Sequence, residues 1–176
     1  MSSRNVEIKA KVRNINDLIE RANSLNPERS EIIKQYDTFY NVSHGRLKMR
    51  KFELCIFQNN TGELIYYDRP DTEGPKVSTF KKASINVSID DLTSVLEEAL
   101  GIKNIVRKVR KMLLVGQTRI HIDDVEGLGH FMELEVMLHD DQSPEDGENI
   151  ANELMVKLNI SKQDLISGAY ADMLKK

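Results

Sequence analysis

Apolar and charged residues alternate strictly at the start of the chain. In Val6-Glu7-Ile8-Lys9-Ala10-Lys11-Val12 the even positions are apolar and the odd positions are charged, which predicts a β-strand with one wholly ionic face. The pattern recurs. Arg46, Lys48 and Arg50 alternate with Leu47 and Met49, and Lys108 and Arg110 flank Val109. Arg119, His121 and Asp123 alternate with Ile120 and Ile122, and Glu133 and Glu135 alternate with Met132, Leu134 and Val136. Charges scattered over an outer surface would be mixed in sign. Here 46–50 and 108–110 are cationic and 133–135 is anionic, so the stripes point to a site.

Helical periodicity fills some of the gaps between strands. Asn14 to Ala22 opens on a capping Asn and spaces Ile15, Leu18, Ile19 and Ala22 along one face. Asp90 to Leu100 carries a stripe of Leu92, Val95, Leu96 and Ala99 and stops at Gly101. Ser143-Pro144-Glu145 is a helix start with Ile150, Leu154 and Leu158 behind it, and Ser161 to Asp164 resembles a capping box for a last helix to Lys176. The remaining strands are predicted at 34–42, 46–52, 63–69, 76–87, 104–115, 117–125 and 130–138. Turns at Ser43-His44-Gly45 and Asn59-Asn60-Thr61-Gly62 and the loop Pro70 to Pro75 separate them. About eight strands and four helices, with no repeat or linker, make one domain over residues 1–176.

Largely antiparallel strands in that number suit a closed sheet, which leaves no exposed edge. The amphipathic helices match the apolar strand faces. The predicted architecture is therefore α+β: an eight-stranded antiparallel barrel with helices packed outside and a charged interior. Like charges are not buried together unless water or a multivalent ligand of opposite sign fills the space. A polyphosphate with metal ions is such a ligand.

Composition narrows the partners. A net charge of -3 gives no global attraction to nucleic acid or membrane, so anion binding must come from local clustering of the 25 lysines and arginines. The one cysteine, Cys55, cannot form an internal disulfide, and no apolar segment follows the Met-Ser-Ser-Arg start. Both fit a reducing, cytoplasmic setting. No apolar run reaches the ~20 residues of a membrane span. The expected partner is a small molecule, with oligomeric state open between monomer and dimer.

Several segments together resemble the CYTH superfamily, the triphosphate tunnel proteins named after class IV adenylyl cyclase and thiamine triphosphatase. They are Glu7-Ile8-Lys9-Ala10-Lys11, Tyr36-Asp37-Thr38-Phe39-Tyr40, Leu47-Lys48-Met49-Arg50, Lys108-Val109-Arg110, Arg119 with Asp123 to Gly129, and Phe131-Met132-Glu133-Leu134-Glu135. The resemblance implies an eight-stranded tunnel that binds triphosphate through basic residues and Mg²⁺ or Mn²⁺ through acidic ones. Lys9 stands where the family motif has a second glutamate. Arg69, at the end of Tyr66-Tyr67-Asp68-Arg69, takes the place of a further phosphate-binding lysine. Tyr67-x-Arg69-Pro70-Asp71 is closer to the cyclase-like branch.

The expected phosphate set is thus Lys9, Lys48, Arg50, Arg69, Lys108, Arg110 and Arg119. Their side chains recur every ~6.5–7 Å along a strand face, and guanidinium forks grip two oxygens at once. Glu7, Glu133 and Glu135 are the expected metal ligands, since hard cations take a few carboxylates and leave positions for phosphate and water. Lys11 is the candidate for orienting or deprotonating water. His121 and His44 are read as a barrel-wall and a turn histidine, Cys55 as structural, and Lys81 and Lys111 as surface residues. Six lumen cations with Lys9 and Lys11, against about three carboxylates, predict a strongly positive tunnel. A triphosphatase ranks first, an adenylyl cyclase second and a non-catalytic polyphosphate or nucleotide binder third.

Overall fold

The computed structural model describes residues 3–53 and 62–174. Cys55 and the expected turn residues 59–61 lie outside them. The eight strands are β1 (Ser3–Lys11), β2 (Arg29–Tyr40), β3 (Arg46–Glu53), β4 (Gly62–Asp68), β5 (Lys76–Ile85), β6 (Ile102–Val115), β7 (Thr118–Val125) and β8 (Gly129–Met137). They join in the order β1-β5-β4-β3-β2-β6-β7-β8, and β1 pairs with β8 to close the ring. Every pairing is antiparallel.

Around the ring lie α1 (Ile15–Ser24), α2 (Ile89–Leu100), α3 (Pro144–Lys157) and the short α4 (Tyr170–Met173). Their starts are chemically fixed. Asn14 Oδ1 accepts from the amides of Asn16 and Asp17, Ser88 Oγ from that of Asp91, and Ser143 and Asp146 form a reciprocal capping box with Pro144 at the first helical position. Each cap contributes about 0.5–2 kcal/mol by satisfying an otherwise orphan amide. No helix among the described residues is long and apolar enough to cross a membrane.

The period of two sends each strand's apolar face outwards. Val6, Ile8, Ala10, Ile120, Ile122, Met132, Leu134 and Val136 pack under α1 and α3 through Leu18, Ala22, Ala151, Leu154, Met155 and Leu158. Gly147 lets α3 lie directly on β1, because a Cβ there would come within 2.7 Å of Val6 and Leu138. A second outer cluster of Tyr40, Met49 and Ile89, with Leu92 and Leu96, holds α2. Fully burying each such side chain is worth about 1.5–3 kcal/mol, so the helices fix which strand face becomes the interior.

Two expectations change. Strand β2 begins at Arg29 rather than Lys34, because its polar first turn pairs with the far end of β6, up to Leu114. The last helix does not run to the C-terminus. Its capping box at Ser161 and Asp164 is present but starts only a 3-10 turn, Lys162–Asp164. Leu165 then becomes extended and bridges Ala10, and the Ile166 amide donates to the Lys9 carbonyl. Gly168, at φ +78°, turns the chain across one end of the ring before α4. There Tyr170 and Ala171 pack with Phe39, Val106, Val125 and Phe131, so that end of the interior is apolar.

Candidate functional site: a charged cavity within the strand ring

Odd positions of β1, β2, β4, β7 and β8 and even positions of β3, β5 and β6 enclose a cavity of about 170 Å³. Eight cationic and five anionic side chains line it. Strand register brings the charges together, since residues opposite one another on adjacent strands share a face.

Two clusters repeat one arrangement. Asp37 on β2 lies opposite Arg50 on β3 and receives Nε and Nη2 of Arg50, each at 2.7 Å, and Lys48 Nζ at 2.9 Å. Asp123 on β7 lies opposite Arg110 on β6 and receives its Nε and Nη2, each at 2.6 Å, with Lys108 Nζ at 3.3 Å. Burial raises the Asp37 carboxyl pKa, but Arg50 and Lys48 outweigh it and hold the group well below the usual carboxylate range. Asp123 is held low in the same way, with Arg110 and Lys108 as the cations. The lysines move the other way. Burial, then repulsion from neighbouring guanidiniums, brings Lys48 down to about 8 and Lys108 to about 7, each only partly offset by its aspartate.

The remaining wall is acidic. Glu133 Oε1 lies 3.0 Å from Lys9 Nζ, and its Oε2 accepts from Arg110 Nη2 at 2.7 Å. His121 Nδ1 is 3.7 Å from both Glu133 Oε2 and Glu135 Oε1, and these three residues form a cluster able to hold a metal ion. Burial opposes ionisation of both glutamates, yet each is held below its ordinary value, Glu133 chiefly by Lys9 and Arg110 and Glu135 by His121 when that ring is protonated and by Arg110. Burial, followed by Arg110, lowers His121, which favours the neutral imidazole.

The structure gathers Lys9, Lys48, Arg50, Arg69, Lys108, Arg110, Glu7, Glu133 and Glu135 on the cavity wall, with Arg119 more exposed at its rim. Lys11 is not gathered: it shares β1's inward parity but lies exposed at the strand's end, outside the cavity lining. Glu7 is ion-paired to Arg69 and lies outside the three-residue metal cluster. The expected strong positive excess is also reduced. Asp37, Glu63 and Asp123 were not counted, and each answers a cation: Glu63 takes Lys82 at 2.8 Å. Buried guanidiniums are not stable without such partners.

Tyr170 is a further residue that pattern alone misses. Its hydroxyl donates to Asp123 at 3.1 Å, and its ring lies 3.9 Å from Lys9 Nζ and 5.0 Å from Lys108 Nζ. The neighbouring Gly168 carbonyl accepts from Lys9 at 3.3 Å and from Arg69 at 3.0 Å. The C-terminal segment thus takes up cationic donors that would otherwise point at solvent.

Residues 3–170 match the CYTH domain family. The chain belongs to the CYTH family. This CYTH protein is 28% identical over 174 residues to a Methanocaldococcus jannaschii protein provisionally named an adenylate cyclase, covering 96% of this chain and 97% of the other. Among solved structures, it superposes on a Pyrococcus horikoshii OT3 protein with a TM-score of 0.81 at 19% identity, over 97% and 99% of the two chains. A Hippeastrum protein, provisionally termed an adenylyl cyclase and described as having a dominant triphosphatase activity, matches with a TM-score of 0.58 at 15% identity, over 94% and 91%. These two structural likenesses concern the fold.

Proposed function

We propose that this CYTH protein is a metal-dependent triphosphatase acting on inorganic tripolyphosphate or on an organic triphosphate such as thiamine triphosphate or a nucleoside triphosphate. The observation that carries the reading is the concentration of Lys48, Arg50, Lys108 and Arg110 on the strands flanking β2, with Asp37 between the two pairs and Asp123 beyond them on β7. Each aspartate orients its arginine through Nε and Nη2, which leaves the Nη1 donors for a ligand. A multivalent phosphate offsets the burial and the guanidinium repulsion that together lower both lysines. Lys9, Arg69 and Arg119 extend the grip along the other walls.

Mg²⁺ or Mn²⁺ fits the acidic wall, where Glu133 and Glu135 are ionised and His121 Nδ1, buried, has no hydrogen-bond partner among the described residues. A divalent ion held there supplies charge neutralisation and a more acidic water. The chain's own residues bind and orient: the Lys-x-Arg pairs fix the phosphate oxygens, and the apolar end excludes bulk water. Water attacks a terminal phosphorus, the phosphoanhydride bond breaks, and orthophosphate leaves a diphosphate. A cytoplasmic setting, a small-molecule substrate and no nucleic-acid partner belong to the same reading.

A cyclase is the second reading, supported by the name of the Methanocaldococcus relative. It requires a ribose hydroxyl as nucleophile and gives cyclic AMP with pyrophosphate. The Hippeastrum protein's description supports hydrolysis instead. Incubation with Mg²⁺ or Mn²⁺ and, separately, tripolyphosphate, thiamine triphosphate and ATP distinguishes them by product. Orthophosphate from tripolyphosphate is expected, with weaker activity on ATP. Cyclic AMP as main product establishes the cyclase; binding without turnover establishes a binder in which Lys9 has neutralised Glu133.

A further inference from the structure

The acidic wall contains a donor that a site for a purely oxygen-liganded ion does not need. His121 is on β7, directly opposite Glu133 on β8. Its side chain is 5% exposed, and among the described residues its Nδ1 has no hydrogen-bond partner. A buried polar nitrogen left in this condition is unfavourable and calls for an explanation. The atom stands 3.7 Å from an oxygen of each glutamate. Donor atoms that share one ion at about 2.2 Å lie roughly 3–4 Å apart.

Each candidate carboxylate is differently engaged. Glu7 is turned to Arg69. Glu133 gives one oxygen to Lys9 and one to Arg110, and a carboxylate has lone pairs beyond those two. The cations near Glu135 are more distant, with Arg119 at 3.8 Å. Glu135 is therefore the most available oxygen donor, and His121 is the unengaged donor beside it.

We infer that His121 is a metal ligand, and that His121, Glu133 and Glu135 form a mixed nitrogen and oxygen site that takes a first-row transition ion, Mn²⁺ rather than Mg²⁺. Magnesium is bound through oxygen and keeps much of its water, whereas imidazole favours the first-row transition ions. The inference deepens the metal-dependent reading above by assigning a ligand and a selectivity to its ion.

The test uses the full chain with Mn²⁺ alone, and then with Mg²⁺ as competitor, without any phosphate. Free Mn²⁺ is counted by electron paramagnetic resonance, and electron-spin-echo modulation reports nitrogen bonded directly to the ion. Wild type is expected to bind Mn²⁺ at least ~10-fold more tightly than Mg²⁺ and to show ¹⁴N modulation that changes on labelling the histidines with ¹⁵N. His121→Ala is expected to lose that modulation and at least ~10-fold in Mn²⁺ affinity, with Mg²⁺ affinity changed far less. If that variant does not fold, the labelled protein with His44, His130 and His139 all changed to Gln decides the matter, because His121 is then the one histidine left. Mn²⁺ bound without nitrogen modulation, unaltered modulation in His121→Ala, or no Mn²⁺ binding each overturns the inference. Turnover is read separately, in the product assay above, so Mn²⁺ on His121 without hydrolysis refutes the triphosphatase reading alone. Hydrolysis with an oxygen-only ion refutes the His121 assignment alone.

Discussion

The Asp37 and Asp123 clusters are built alike and end differently. Each places a Lys-x-Arg pair opposite an aspartate on the next strand, with the arginine fork on both carboxylate oxygens. Around Asp37 the account stops there, with two cations and one anion. Around Asp123, Arg110 reaches on to Glu133 and the Tyr170 hydroxyl adds a donor, so the positive excess is taken up by the glutamate wall. On the triphosphatase reading proposed above, the same strand motif serves two ends of one ligand, the Lys48–Arg50 side keeping an unanswered charge for phosphate and the Lys108–Arg110 side coupling phosphate to the carboxylates.

The largest effect should come from removing the aspartates themselves. Asp37→Asn leaves Lys48 and Arg50 buried without a carboxylate between them, and stripping one partner from a buried ion pair typically costs about 3–5 kcal/mol. Asp123→Asn should lose less, because Arg110 retains Glu133 at 2.7 Å. Urea unfolding of the two ligand-free variants checks the order. A larger loss for Asp123→Asn breaks the distinction between the clusters.

Next comes the phosphate grip. Arg50→Ala should lower catalytic efficiency on tripolyphosphate by at least ~10-fold, as losing a charged hydrogen bond is worth about 1.5–3 kcal/mol. Lys111→Ala is the comparison, since Lys111 is on the outer face of β6 and, among the described residues, its side chain reaches only Asn23, at 3.5 Å. Equal kinetics in both variants would remove Arg50 from the site.

Much of this was visible in the alternation of residues, and the reason it stops short is physical. Period two assigns each side chain to a face, so Lys48, Arg50, Lys108, Arg110, Glu133 and Glu135 were legible as an interior set. It does not give depth along the strand, which is why Lys11 has the right parity but lies beyond the cavity. Nor does it give register. Asp37, among aromatic residues, becomes the anchor of Arg50 only once β2 and β3 are aligned. His121 was readable as an interior residue through Arg119 and Asp123, but its meeting with both glutamates needs the β7–β8 pairing. The non-helical course from Leu165 to Ala169 depends on bonds of Leu165 and Ile166 to β1 that local helix signals do not contain.

The two lysines also make the clusters separable by pH. Burial and guanidinium repulsion bring Lys108 down to about 7 and Lys48 to about 8, below the ordinary lysine value of about 10.4. Between pH 7 and 10 the unfolded chain thus holds more protons than the folded one, so stability of the empty protein rises with pH in this window. Phosphate binding has the opposite sign, because the anion favours charged lysines and must draw protons in. Tripolyphosphate affinity should fall from pH 7 to 9, by at most about 1.4 kcal/mol per pH unit for each lysine. Lys108→Met should flatten the lower part of that profile and Lys48→Met the upper part. Calorimetry in buffers of different ionisation enthalpy reads the proton uptake directly; none at pH 8 would contradict both assignments.

The smallest effect concerns the Tyr170 hydroxyl, the second contact that sets the Asp123 cluster apart. Tyr170→Phe removes the hydroxyl that donates to Asp123 at 3.1 Å but keeps the ring over Lys9 and Lys108. Asp123 still has the Arg110 fork and Lys108, so it is not left unsatisfied, and the loss should be near 1 kcal/mol rather than the larger figure for an orphaned charge. Tyr170→Ala also removes the ring, which packs on Phe131 at 5.1 Å and helps close the apolar end. That change should cost about 3–5 kcal/mol, as for other buried aromatics truncated to alanine. The contrast separates hydrogen bond from plug. If Tyr170→Phe were as damaging as Tyr170→Ala, the phenol would be the element that holds the segment across the ring. Equal wild-type melting in both would mean that the segment contributes nothing to the Asp123 cluster.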